Sequence, residues 1–158
     1  MTLHCDNHEL ELTEAVRAAI QQRAIWFYLL LKSAKERGAD ADAIAQEAVF
    51  AAGQLNGEKI GLCRTPQEFF QGLATKTNRL AFAMEEISMD GKQGIYRFHR
   101  CPLCDAWKSL GCTQEEIGHL CKLAMAGDYG IISGYPLDLM FNSTIGDGSP
   151  YCEMVVSK

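Results

Sequence analysis

Ile95-Tyr-Arg-Phe-His-Arg-Cys-Pro-Leu-Cys104 changes character half-way along its length. Residues 95–100 are rich in the aromatic and β-branched types that suit an extended strand. Cys101-Pro102 then sets a proline where the first turn of a helix accepts one. A strand that runs straight into a short helix, ending near Gly111, predicts a domain in which sheet and helices share a core.

Both flanks extend that reading. Upstream, Asp90-Gly-Lys-Gln-Gly94 separates this strand from a run beginning at Phe82 whose period approaches two, which predicts a β-hairpin. Downstream, Thr113 and Glu116 form a capping box that opens another helix through about Ala126. Past Pro136, Leu137, Leu139, Phe141, Ser143 and Ile145 alternate with Asp138, Met140, Asn142 and Thr144. Residues 146–150 turn the chain and residues 151–156 return, predicting a second hairpin.

The first half reads as helical. Leu12, Val16, Ile20, Phe27, Leu30 and Leu31 recur at helical spacing up to Gly38, predicting a long helix at the centre of the fold. Trp26, Phe27 and Tyr28 are read as core in preference to a partner surface. A second helix over residues 40–55 carries Ile44, Ala48, Val49 and Ala52 on one stripe and meets a stop signal at Asn56-Gly57. Thr65, Pro66 and Glu68 supply the cap of a third helix running to about Leu80. The expected fold is α+β, a helical half (residues 10–80) packed with a largely antiparallel four-stranded sheet. Its cysteine-rich α/β region spans residues 82–157, and the whole forms one domain, 1–158.

Composition narrows the function classes. A length of 158 residues suits one core, and 47% hydrophobic against 22% charged residues lies in the globular range. A formal charge of −5 supplies no overall attraction to phosphate backbones or anionic lipid, so neither nucleic acid nor membrane is an expected partner. The most apolar stretch, residues 24–31, is far shorter than the roughly 20 residues of a membrane span, and no export signal is evident. The expectation is a cytoplasmic protein that handles a small molecule, with homo-oligomer formation left open.

Seven cysteines in a reducing compartment should be free, catalytic or metal-bound instead of disulfide-linked. Cys101 stands at a helix N-terminus, whose unpaired amides and positive dipole end favour a thiolate, with His99 and Arg100 beside it. A nucleophile, a zinc half-site and a small packing residue all remain open for Cys101 and Cys104. A redox dithiol also fits the Cys-Pro-x-Cys spacing, although such motifs usually follow the first strand of a βαβ unit. His119 and Cys121, two apart on a helix, point away from each other and would not share a metal. Cys121 lies on the apolar stripe of Ile117, Leu120, Leu123 and Ala124, and Cys63 and Cys112 are assigned to packing or loops. Cys152 lies on the same strand face as Met154 and Val156. Residues 141–148 gather amide, hydroxyl and carboxylate groups at one sheet end, suited either to a polar ligand or to a hairpin turn. His4, Cys5 and His8 have metal-capable chemistry but are placed outside the expected site.

Arg100-Cys-Pro at a strand–helix junction, Gly111, Leu120-Cys121, Phe141, Ser143-Thr-Ile145, Gly148 and Cys152 together resemble the L-2-amino-thiazoline-4-carboxylic acid hydrolase family, over roughly residues 85 to 156. The resemblance implies opening of a cyclic isothiourea at a C–N bond. It also implies that Cys101, Pro102, Cys121, Ser143, Thr144 and Cys152 surround one site. The family pattern often carries an acid within one helical turn after the Leu-Cys cysteine. Here Lys122, Leu123, Ala124 and Met125 occupy that turn, and the nearest acid is Asp128.

Hydrolysis of a cyclic amidine needs a nucleophile, an acid/base and an anchor for any substrate carboxylate. The expected roles are Cys101 as nucleophile, His99 or Asp128 as acid/base, and Cys121 and Cys152 as companion thiols. Arg100 would hold the carboxylate, with Asn142, Ser143 and Thr144 near the developing charge. No cofactor is expected, with zinc or iron as the exception. The alternative is a non-enzymatic small-molecule sensor or metal-binding module, because the layout with Gly148-x-x-x-Cys152 also resembles vinyl-reductase-type ligand-binding domains.

Overall fold

The computed structural model describes residues 7–158. Four helices come first: α1 (Asn7–Glu36), α2 (Ala41–Ile60), α3 (Pro66–Leu73) and α4 (Lys76–Ala81). The hairpin β1 (Met84–Met89) and β2 (Gln93–Phe98) follows, then α5 (Pro102–Ser109) and α6 (Gln114–Ile132). The strands β3 (Asp138–Ser143) and β4 (Cys152–Ser157), linked through a 3-10 turn at Ile145–Asp147, complete the fold.

The strands form one sheet in the order β1-β2-β4-β3 with every pair antiparallel, the α+β architecture expected from the pattern. The first turn is held by Asp90, whose Oδ1 accepts from the amides of Lys92 at 2.7 Å and Gln93 at 2.8 Å. The hairpins join through β2 and β4, with Phe98 opposite Cys152. That register sets the start of β4 beside the point where β2 gives way to α5.

Two apolar clusters hold the molecule together. Under the sheet, Phe70 stacks on Tyr96 at 4.4 Å and packs with Phe69, Met154, Val156 and Ile132. Between α1, α5 and α6, the buried Trp107 packs with Ala24, Ile117 and Leu120 and donates its indole N–H to the Ala24 carbonyl at 2.9 Å. Burying such a ring contributes about 3 kcal/mol from area alone. Arg17 of α1 closes the end of α4 by donating to the carbonyls of Leu80 and Ala81.

The long first helix is peripheral, not central. Only Thr13 and Ala24 of its 30 residues are buried, and Trp26 is 69% exposed. Phe27 and Tyr28 are half-buried against the Trp107 cluster, so the aromatic run divides between core and solvent. Neighbours along a helix point about 100° apart, and one contact face cannot take all three.

The second helix buries a different stripe from the apolar one. Ala41, Ala45, Gly53 and Gly57 face inward, while Ile44, Ala48 and Ala52 are exposed and Val49 is half-buried. The reason is backbone proximity to α6. A Cβ on Gly53 would stand 2.1 Å from the Gly127 carbonyl oxygen, and one on Gly57 would stand 2.6 Å from that of Ile131. Only hydrogen-sized side chains permit this approach, so Gly57 is a contact residue and Asn56-Gly57 does not end the helix. The end comes at Gly61, whose φ of 88° needs glycine.

The third helix breaks in two. Thr65 Oγ1 accepts from the Glu68 amide at 3.2 Å, but the Glu68 carboxylate accepts from Arg64 instead of completing the reciprocal pair. The helix stops at Leu73 and Thr75 caps α4 afresh. At α6 both halves of the Thr113–Glu116 capping box are present. That helix runs past Ala126 to Ile132, because Gly127 and Gly130 are contact points with α2. Among the described residues, no helix is long and apolar enough to cross a membrane.

Candidate functional site

Cys101 is the N-cap residue of α5, in extended backbone conformation immediately before Pro102. Cys104 occupies the third helical position, the place from which the threonine-capped helices α3 and α6 donate an amide back to their caps. Here the returning group includes a thiol. Cys104 lies within hydrogen-bonding range of both Cys101 and Cys121, and its single S–H serves one of them at a time, so three sulfurs from α5 and α6 form one group.

The electrostatics of this group follow from who donates. Cys101 has its pKa lowered, first by the Cys104 thiol and then by the amides of Cys104 and Leu103, against an opposing contribution from burial. Its sulfur falls short of a formal capping bond, so the helix start favours the thiolate through nearby amides and not through one strong contact. Cys121 is lowered by the same Cys104 donor. Cys104 is raised, because it is the proton donor held between two sulfurs that share negative charge.

The turn after β3 closes the site from the other side. A Cβ on Gly146 would lie 2.6 Å from Cys121 Sγ, so glycine there lets the 3-10 turn rest on the thiol. Gln114 at the start of α6 donates to the Gly146 carbonyl at 2.6 Å, and the Ile145 amide donates to Cys152 Sγ at 3.2 Å. Burial pushes the Cys152 thiol up to about 12, and Cys101, Cys121 and Asp128 are the charges felt there.

Asp128 lies seven residues after Cys121 on α6, two turns along the same face. Burial lifts its carboxyl to about 7, with the Arg23 guanidinium of α1 pulling the other way. The structure therefore brings together Cys101, Cys121, Cys152 and Asp128 from α5, α6 and β4. Asp128 is the first acid after Cys121 on this helix.

The remaining expected site residues are engaged elsewhere. His99 Nε2 is 2.7 Å from Glu85 on the exposed side of β1, and its ring meets the edge of Tyr151. Arg100 donates to Asp105 at 3.0 Å. Asn142 donates to Glu153, which also accepts from Arg97. Ser143 donates to the Tyr151 carbonyl, and Thr144 caps the 3-10 turn through Asp147. Ser143 and Thr144 build the turn, and Asn142 ties β3 to β4 across the sheet.

Two contributors were not among the expected site residues. Cys104 had a signal, since a residue three past an N-cap faces it. Arg23 had none, because its charge acts on Asp128 from a different helix, more than a hundred residues away in the sequence. Cys63 is buried in the sheet cluster and Cys112 rests half-buried against Tyr28, consistent with packing. His119 pairs with Asp42 of α2 at 3.0 Å, away from Cys121. His8 stands in the first turn of α1, while His4 and Cys5 lie outside the described residues. Six described cysteines are free thiols, and no group of three or more His, Cys, Asp or Glu among the described residues is arranged to hold a metal ion.

Among curated proteins none matches the chain. Among solved structures, the phenol-responsive sensory domain of the transcription activator PoxR, in complex with phenol, is similar with a TM-score of 0.50 at 14% identity. The match covers 85% of this chain and 73% of that one, and at such identity it speaks for the fold alone. The model of the L-2-amino-thiazoline-4-carboxylic acid hydrolase family matches residues 17–156, taking in nearly all of the helical half as well as the thiol site. The chain therefore belongs to the L-2-amino-thiazoline-4-carboxylic acid hydrolase family.

Proposed function

We propose that the protein binds a small cyclic amidine or isothiourea and opens its ring at a C–N bond, with Cys101 as nucleophile and Asp128 as acid/base. The observation that carries this reading is the meeting of a thiolate-favouring Cys101 with two further thiols and a carboxyl that titrates near neutrality. A carboxyl poised at about 7 is half protonated at working pH, the condition under which one group both gives and takes a proton.

In the first step the Cys101 sulfur adds to the amidine carbon. The C=N electron pair moves to the ring nitrogen, which takes the proton of Asp128. The exocyclic amino lone pair then forms C=N, the ring C–N bond breaks, and the ring nitrogen leaves as the amine after taking a second proton from solvent. Water attacks the sulfur-bound carbon, giving one proton to the Asp128 carboxylate and the other to solvent as the carbonyl forms and the Cys101 thiolate departs. In this reading Arg23, whose charge acts on Asp128, holds a substrate carboxylate, the role expected of Arg100. Zinc or iron takes no part in this scheme.

The test is consumption of 2-amino-thiazoline-4-carboxylate by the wild-type protein and by Cys101→Ser. The variant is expected to lose at least about a hundredfold in turnover. Undiminished turnover removes the covalent step. A second reading, ligand binding without turnover, is favoured by the likeness to a sensory domain that binds phenol. Calorimetry that shows saturable binding of an aromatic or heterocyclic ligand, with no product formed, would select it. Stoichiometric zinc or iron in the purified protein would replace both readings with a thiolate metal module.

A further inference from the structure

The proposed hydrolysis uses Cys101 and leaves the neighbouring Cys104 thiol without a step. It sits behind Cys101 at the start of α5, and it is also within hydrogen-bonding range of Cys121. Cys101 is half-buried and Cys104 is buried, so of the two Cys101 is the more open to a small reagent. Residues at the N-cap and third helical positions have side chains close enough for a disulfide without moving the helix. The βαβ surroundings usual for such a motif are absent, but the local arrangement of strand end, N-cap cysteine and proline is present.

We infer that Cys101 and Cys104 form a peroxide-reactive dithiol, with Cys101 as the attacking sulfur, Cys104 as the resolving sulfur and Cys121 as the proton acceptor. The co-reactant is a hydroperoxide. The Cys101 thiolate attacks the terminal peroxide oxygen, the O–O bond breaks, and the alcohol or water departs after taking a proton from solvent. Cys101 is then a sulfenic acid. Cys104 passes its proton to Cys121 and attacks the Cys101 sulfur, the S–O bond breaks, and hydroxide leaves as water after taking that proton. Two thiols and one hydroperoxide give one disulfide, one alcohol and one water.

The hydrogen-bond pattern supplies the order of events. While Cys101 carries negative charge, Cys104 keeps its proton between two electron-rich sulfurs. Oxidation neutralises Cys101, and the proton is then free to move toward Cys121, the sulfur that Cys104 already faces. Cys63 and Cys112 have raised pKa values, through burial first, and so are predominantly protonated and slow to react.

The experiment treats the reduced full-length protein with stoichiometric hydrogen peroxide and maps all seven cysteines by peptide mass spectrometry. A Cys101–Cys104 cross-link, lighter by two hydrogens, is expected to form on the order of tenfold faster than any change at Cys63 or Cys112. In Cys104→Ser and in Cys104→Ala, Cys101 is expected to stop at a sulfenic acid that dimedone traps. In Cys121→Ser the first oxidation keeps its rate while the cross-link slows. A wild-type protein in which Cys101 is over-oxidised with Cys104 still free overturns the inference, as does one in which Cys63 or Cys112 reacts first. The mapping needs no substrate, so it stands or fails independently of the hydrolase reading.

Discussion

Helix α6 meets the molecule through two faces of opposite chemistry. On one face Gly127 and Gly130 lie against the α2 backbone so closely that an added Cβ on Gly130 would stand 2.2 Å from the Phe50 carbonyl oxygen. On the other, Cys121 and Asp128 look toward Cys104, Gly146 and Cys152. At about 3.6 residues per turn the two sets fall on opposite sides of the helix. The first face achieves close packing by having no side chains, and the second retains small polarisable ones. The helix thus divides its labour, with steric intolerance on the α2 side and chemical intolerance on the thiol side.

The largest expected effect breaks the α2 side. Gly130→Leu should abolish cooperative folding, seen as loss of a sigmoidal urea transition by circular dichroism, because several side-chain atoms have nowhere to go between two backbones. Gly53→Ala should still cost about 3 kcal/mol, even though alanine favours a helix by about 1 kcal/mol over glycine. A stabilised Gly53→Ala protein would show that the two helices can separate freely.

The thiol side should respond to pH where the glycine side does not. Burial favours the neutral Asp128 carboxyl in the fold. That contribution is therefore fully present below the unfolded value of about 4 and is lost as the pH rises through about 7. Asp128→Asn should flatten the dependence of stability on pH between about 4 and 7 and raise stability at pH 8 by about 1–3 kcal/mol. Urea melts at a series of pH values measure this directly. The same variant should lose turnover, separating what the residue does for chemistry from what it costs the fold.

Smaller effects sharpen the contrast. Cys121→Ala removes a partly buried sulfur from a site that can partly relax, and about 1 kcal/mol of destabilisation is expected, well below the glycine variants. Thr113→Ala removes half of the α6 capping box and should also lower stability by about 1 kcal/mol, while leaving thiol reactivity unchanged in a thiol-titration assay. Cys101→Ala at the equivalent position of α5 should cost less, since its sulfur makes no formal capping bond.

Much of the fold was legible because its signals are local. The Thr113–Glu116 box, the Asp90–Gly94 turn and the alternation after Pro136 each concern residues within a few positions of one another, and each produced the expected element, while Thr65-Pro66 opened a helix where expected that ends at Leu73 instead of about Leu80. The errors came where a distant surface overrode the local preference. Asn56-Gly57 has the composition of a stop, yet Gly57 continues a helix because α6 lies against it. Trp26 has the composition of core, yet it faces solvent because α1 is covered on one side. The candidate site divided the same way. Cys101 at a helix start was visible from its neighbours, whereas the engagement of His99 with Glu85 and of Arg100 with Asp105 was not.

By itself the sequence determined the types of element, their order, the antiparallel hairpins and the cysteine at the start of α5, all through interactions that span a turn of chain or less. Only the tertiary structure decided which sulfurs are neighbours, that Asp128 lies within their field, and that the Arg23 charge acts on it. Those facts depend on the crossing of α1, α5, α6 and β4, and a crossing is fixed by the shapes of whole faces. Between α1, α5 and α6 the deciding shape is the buried Trp107, and between α2 and α6 it is a set of glycines, whose lack of a side chain leaves no periodic apolar mark to read.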